Sequence, residues 1–228
     1  PNGNVMLSVY DYTDASCLFG KAFLSKASRT HKRGGGPQPQ PPVEVEGFTV
    51  KVTDAGKYIL TTIEGKAIPV TVEEYKERLA EKLVAAAPTL DAFRNQWIHP
   101  AERRKLIETL PDGGRAPGLV RALENMKEYD LYDVLAELGY GMAPRTRKDR
   151  AAAFAYKHAL WLVGLPENTR ATLNALAGQF AAAGTDALEN PLVFSIPGVK
   201  RAGGMEALKG LGRPEDVLRE TKSKIFAA

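Results

Sequence analysis

The chain has 228 residues, 44% hydrophobic and 25% charged, which is ordinary globular composition and enough for one sizeable core or two small ones. Its net charge of +4 allows acidic partners, DNA included, but falls well short of a histone-like tail. Cys17 is the single cysteine, so an intramolecular disulfide and a thiolate zinc site are both excluded, and a reducing cytoplasm fits. No run approaches the ~18 apolar residues of a membrane span, and no charged n-region followed by an apolar h-region opens the chain. The start Pro1-Asn2-Gly3, without Met, reads as a fragment of a longer or trimmed polypeptide.

Val5, Leu7 and Val9 alternate, which predicts a short N-terminal strand. Alone it is unstable, so residues 1–24 read as the tail of a preceding domain. Residues 25–46 change composition. Arg29, His31, Lys32 and Arg33 are followed by Gly34-Gly35-Gly36 and by Pro37, Pro39, Pro41 and Pro42. Glycine loosens the backbone and proline stiffens it without offering a donor, so this stretch reads as a linker rather than a polyproline ligand.

Residues 47–228 form the predicted main domain, mainly α, with a small antiparallel meander at 48–70 ahead of a helical bundle. Phe48, Val50 and Val52 alternate, Asp54-Ala55-Gly56 turns the chain, and Glu64-Gly65 turns it again. From Thr71 the sequence is helical. Thr71 and Glu74 make a capping box ahead of the stripe Val72, Tyr75, Leu79 and Leu83. Thr89 caps a helix carrying Leu90, Phe93 and Trp97, and Pro100 opens one carrying Leu106, Ile107 and Leu110. Further helices are marked by Leu119, Val120, Leu123 and Met126, and by Leu131, Val134, Leu135 and Leu138 up to Gly139-Tyr140-Gly141. One long helix is predicted over 146–163 with Phe154, Trp161 and Leu162 inward. Another starts at Pro166 with Leu173, Leu176, Ala177 and Phe180 inward. An irregular region follows, with Gly184, Pro191, Pro197 and Gly203-Gly204, before Pro214 opens a terminal helix carrying Val217, Leu218 and Ile225.

Chemistry is hard to find. There is no G-x-x-x-x-G-K-[ST] and no G-x-G-x-x-G. Gly34-Gly35-Gly36 leads into Pro and Gln instead of a helix start, so it does not cradle a phosphate. Asp11 and Asp14 lie near a strand end but lack the neighbouring E-x-K strand that nuclease metal chemistry needs. No G-x-S-x-G elbow is present. His99 and His158 read as partly buried, satisfied histidines.

The strongest local signal is basic. Arg145, Arg147, Lys148 and Arg150 fall within six residues at a helix start, opposed only by Asp149. Helix N-terminal amides and Arg side chains suit phosphate oxygens, so two readings stand side by side: DNA phosphate contacts, or a solvated helix start. In Arg103, Arg104 and Lys105 the charge is diluted by Glu102 and Glu108, and a solvated face is the reading.

Several blocks resemble the C-terminal region of the R subunit of type I restriction enzymes, the EcoEI-like type. They are Leu90-Asp91-Ala92-Phe93-Arg94-Asn95-Gln96-Trp97 with Ala101-Glu102-Arg103-Arg104, then Tyr129-Asp130-Leu131-Tyr132-Asp133-Val134-Leu135, then Pro144-Arg145-Thr146-Arg147-Lys148-Asp149-Arg150. The opening Val9-Tyr10-Asp11-Tyr12-Thr13-Asp14-Ala15 with Leu18-Phe19-Gly20 is similar to the segment leaving that family's second motor domain.

The resemblance implies that nuclease and ATP-driven helicase motifs lie upstream, and that this chain belongs to an ATP-dependent site-specific deoxyribonuclease without holding its active site. It implies a role in docking the R subunit onto the M and S subunits. ATP, magnesium and S-adenosylmethionine are implied for the whole complex and none for this chain. The alternative is a DNA-contacting module that guides duplex to the motor through Arg145, Arg147, Lys148 and Arg150.

Overall fold

The computed structural model describes residues 43–45, 48–53, 56–63 and 66–227. The N-terminal strand expected at Val5–Val9, most of the linker, Cys17, His31, Asp11 and Asp14 lie outside the described residues. Four strands, β1 (Val43–Val45), β2 (Phe48–Thr53), β3 (Gly56–Ile63) and β4 (Lys66–Thr71), form an antiparallel sheet in that order. The meander is therefore one strand wider than the alternation at 48–70 predicts. Val43–Val45, at the end of the predicted linker, pairs with Phe48–Val50.

Register explains which face is apolar. Ile59 stands opposite Val50 on one side and Val70 on the other, and all three are buried. Side chains alternate along a strand, so Phe48 and Thr61 share that face. Pro69 lies exposed on β4, an edge strand where its missing N–H costs no ladder bond.

The sheet face packs on α1 (Val72–Ala86). Both halves of the Thr71–Glu74 capping box are formed, and Val72, Tyr75, Leu79 and Leu83 are all buried. Phe48 meets Tyr75 edge-on at 6.1 Å. Three further helices follow: α2 (Leu90–Ile98), α3 (Pro100–Thr109) and α4 (Ala116–Leu123). Pro111–Gly114, expected as a loop, is a 3-10 turn with Asp112 and Gly113 left-handed. Asp112 ties the layers together: it accepts from the Tyr75 hydroxyl and from Thr61 Oγ1 at 3.1 Å. Met126 is buried but lies beyond α4, where Asn125 turns left-handed.

α5 (Leu131–Tyr140) ends at Gly141, whose φ of 63° is the left-handed cap that favours glycine. The single helix expected over 146–163 is two, α6 (Arg147–Lys157) and α7 (Ala159–Val163). His158 leaves helical geometry at φ −108°, ψ 22° and caps both. Its Nε2 donates to the Lys224 carbonyl at 3.2 Å, a tertiary bond favouring the break. Phe154 and Leu162 are buried as expected, whereas Trp161 is only half-buried.

α8 (Glu167–Ala183) buries Leu173, Leu176, Ala177 and Phe180. The stretch expected to be irregular is a chain of short helical turns: α9 (Thr185–Glu189), a 3-10 turn at Pro191–Ser195, α10 (Pro197–Arg201) and α11 (Gly204–Lys209). Its prolines occupy the first positions of helical turns, where a lost N–H is harmless. α12 (Pro214–Ala227) closes the bundle by packing on α2, α6 and α11.

Candidate functional site

Three buried ionic or polar centres hold the helices together. The first joins α5, α6 and α12. Asp133 is fully buried and Arg150 is 1% exposed. Arg150 Nε donates to Asp133 Oδ2 at 2.7 Å and Nη2 to Oδ1 at 2.8 Å, a two-pronged pairing that only arginine makes. Its Nη1 donates to the carbonyls of Ile225 and Phe226 at 3.4 and 3.2 Å, satisfying the end of α12. The guanidinium lies over the rings of Tyr132 and Phe226.

The second centre is Asp130. Its carboxylate caps α5 by accepting from Tyr132 N at 3.0 Å, and caps α9 by accepting from Thr185 N at 2.8 Å. Thr185 Oγ1 donates to it at 3.0 Å and accepts from Trp97 Nε1 at 3.3 Å. Burial pushes the Asp130 carboxyl up, and these three donors oppose the rise. Gly184 makes the close approach possible: at φ +82° a Cβ there would stand 2.6 Å from Asp130 Oδ2.

The third centre is Glu189, which accepts from Lys222 Nζ at 2.7 Å and from Arg103 Nη2 at 2.6 Å. Arg103 also reaches Asp186 at 2.8 Å and lies over the Trp97 ring. Burial lowers the Lys222 ammonium, with the bond to Glu189 acting against it.

These centres correct part of the basic-cluster expectation. Arg150 does not face solvent or phosphate; it is the interior partner of Asp133. Arg145 and Lys148 are exposed, and Arg147 is half-buried with its Nε shielded from solvent and without a hydrogen-bond partner among the described residues. Thr146 and Asp149 form the helix cap beside them. The cluster thus divides into one internal strut and three residues at the surface of the α6 start. Arg103 is likewise consumed internally, and Lys105 pairs with Glu102. His99 is half-buried at the α2–α3 junction and makes no side-chain cap.

Among the described residues no group of three or more His, Cys, Asp or Glu is placed to hold a metal ion. No helix among them is long and apolar enough to cross a membrane. A groove of about 920 Å³ opens between α9 and α12, lined among others by Leu188, Val193, Phe194, Leu218, Lys222 and Glu189.

One feature escaped the sequence reading. Tyr156, Leu160 and Val163 are 85%, 93% and 68% exposed. The signal was available: the α6–α7 sequence is apolar on two faces, and only one can turn inward.

The fold and its engaged interior define a helical packing module with a small sheet at its edge. Residues 73–225 match the family described as EcoEI R protein C-terminal, and the chain belongs to that family. It is 27% identical over 133 residues to a type I restriction enzyme EcoAI endonuclease subunit of Escherichia coli. That similarity takes in 58% of this chain and 16% of that subunit, so the chain spans a small part of its curated relative. No solved structure matches it.

Proposed function

We propose that this domain is the assembly joint of a type I restriction enzyme R subunit, docking the ATP-dependent translocase and nuclease onto the methyltransferase-specificity core of M and S subunits. In this reading ATP, magnesium and S-adenosylmethionine act in other parts of the complex. The observation that carries it is the exposure of Tyr156, Leu160 and Val163 on a domain whose buried Arg150 and Lys222 are already paired with Asp133 and Glu189. Large apolar side chains grouped on a surface mark an interaction site when their interior counterparts are already satisfied. A standard interface buries ~1,200–2,000 Å² in total, within reach of a helical domain of this size.

The test is deletion of residues 71–228 from the full R subunit, followed by calorimetric titration with the cognate M–S complex. Assembly should be lost while ATP still binds the motor. Assembly at normal affinity would move the docking role elsewhere.

The second reading is a DNA-contacting module. It is favoured by Arg145 and Lys148, exposed at the start of α6 and without an ion pair among the described residues. Changing Arg145, Arg147 and Lys148 together to Ala should then weaken duplex binding equally across sequences. The salt slope should fall by roughly 1 per lost phosphate contact. Unchanged affinity and slope would leave the docking reading alone.

A further inference from the structure

The exposed residues of α6–α7 follow a helical rhythm. Ala152, Ala155, Tyr156, Ala159, Leu160 and Val163 are all exposed, at successive spacings of three and one. That spacing keeps Ala152, Ala155 and Tyr156 on one face of α6, and Ala159, Leu160 and Val163 on one face of α7.

The stripe crosses the break at His158 yet is held as one surface. Phe154 and Trp161 meet edge-on at 6.3 Å from either side of the break, Lys224 Nζ lies 4.5 Å over the Trp161 ring, and His158 is bonded to α12. A face fixed in this way loses little freedom on binding.

Two properties of the stripe select its occupant. Half of its residues are alanines, which let a second helix approach to the short end of the usual ~8–10 Å interaxial range, with Tyr156, Leu160 and Val163 as knobs. Its border carries more positive than negative charge. Lys148 and Arg145 near its head and Lys157 on its flank are exposed and form no ion pair with another described residue, against the one exposed carboxylate of Asp149, two turns before Tyr156, which accepts from Thr146 Oγ1 at 2.7 Å.

Resting on the docking reading above, we infer that the α6–α7 stripe receives one amphipathic α-helix of another subunit, with small or aliphatic residues facing the alanines and carboxylates along its edge. An extended peptide would add to an exposed sheet edge, whereas an exposed helix face packs against another helix.

The experiment uses full-length R subunit and its M–S complex, with melting curves to confirm folding. Leu160→Asp places a charge on the knob and should weaken assembly on the order of thirty-fold or more, as for a central anchor. Ala155→Trp separates close packing from stickiness: added apolar area strengthens a sticky patch, whereas a close helix contact is lost. Lys157→Glu should weaken binding and make the residual affinity rise with salt.

A photo-crosslinking phenylalanine analogue in place of Tyr156 should label another subunit at residues spaced three or four apart. Labelling only of this chain's own remaining residues, or of a second copy, would overturn the inference. So would full affinity in Leu160→Asp or tighter binding in Ala155→Trp. If deletion of residues 71–228 abolishes assembly while Leu160→Asp does not, the docking role stands and the stripe is not its surface. If the deletion also leaves assembly intact, the docking role itself fails.

Discussion

Arg150→Ala should unfold the domain long before it disturbs any surface contact. The side chain makes two short charge-assisted bonds to Asp133 and two weaker ones to the last carbonyls of α12. Its removal leaves a fully buried carboxylate with one remaining donor, Arg145 N at 2.8 Å. Breaking one side of a buried pair typically costs about 3–5 kcal/mol. For a domain of this size each kcal/mol lowers the melting temperature by roughly 2–4 °C, so a fall of roughly 6–20 °C follows. Scanning calorimetry of wild type, Arg150→Ala and the double variant Asp133→Leu/Arg150→Met measures it. The double variant should recover much of the loss, since it removes the stranded charge along with its partner. A melting temperature within about 2 °C of wild type for Arg150→Ala, combined with reduced DNA affinity, would refute the argument and return Arg150 to the surface cluster.

Lys222→Met should behave in the opposite way. Glu189 keeps Arg103 at 2.6 Å, so no charge is stranded, and denaturant titration near neutral pH should place the variant within about 1 kcal/mol of wild type. The sign with pH is fixed by the lowered ammonium: its contribution is complete above the ordinary 10.5 and is lost as pH falls through the folded value, so wild type gains on the variant toward alkaline pH. Tyr140 supplies an alkaline limit. Burial first, and the neighbouring Tyr132 second, push its phenol up to about 12 from 10.0, and the neutral hydroxyl donates to the Ala87 carbonyl at 2.6 Å. Its contribution is complete below 10.0 and is lost as pH rises through about 12. Tyr140→Phe should cost about 1 kcal/mol near neutral pH and flatten the alkaline decline. An unchanged decline would assign it to other groups.

The helices were legible where periodicity and caps agree. Thr71 with Glu74, Thr89, Pro100, Pro166 and Pro214 all mark helix starts, and Gly141 marks an end. What was not legible depends on groups far apart in the chain. The break at His158 is tied to a carbonyl 66 residues away, and the burial of Arg150 depends on Asp133 and on α12. A run of arginines at a helix start reads the same whether its third arginine points outward or into a carboxylate on another helix. The short helices after Gly184 were hidden because each is too brief to show a period, and Pro191 and Pro197 punctuate them as a loop would be punctuated.

The burial of Arg150 belongs to a wider pattern of interior charge. α5, α6, α9 and α12 are joined by carboxylates that each serve two partners: Asp133 holds Arg150 and the Arg145 amide, Asp130 caps two helices, and Glu189 binds two cations. Such centres add little net stability over apolar packing, but they exclude alternative alignments, because a shift of one helix strands a charge. The face that gains is α6–α7. Its inner side is locked through Arg150 and Phe154, so its outer side keeps Tyr156, Leu160 and Val163 in register at the surface. In the proposed docking role the domain transmits the force of the motor, which sliding helices would dissipate. A single carboxamide substitution, Asp133→Asn, should therefore loosen the α6–α7 face without touching it. Hydrogen exchange of the α6 amides should rise and assembly should weaken in parallel. Faster exchange with unaltered assembly would show that the locked interior serves folding alone.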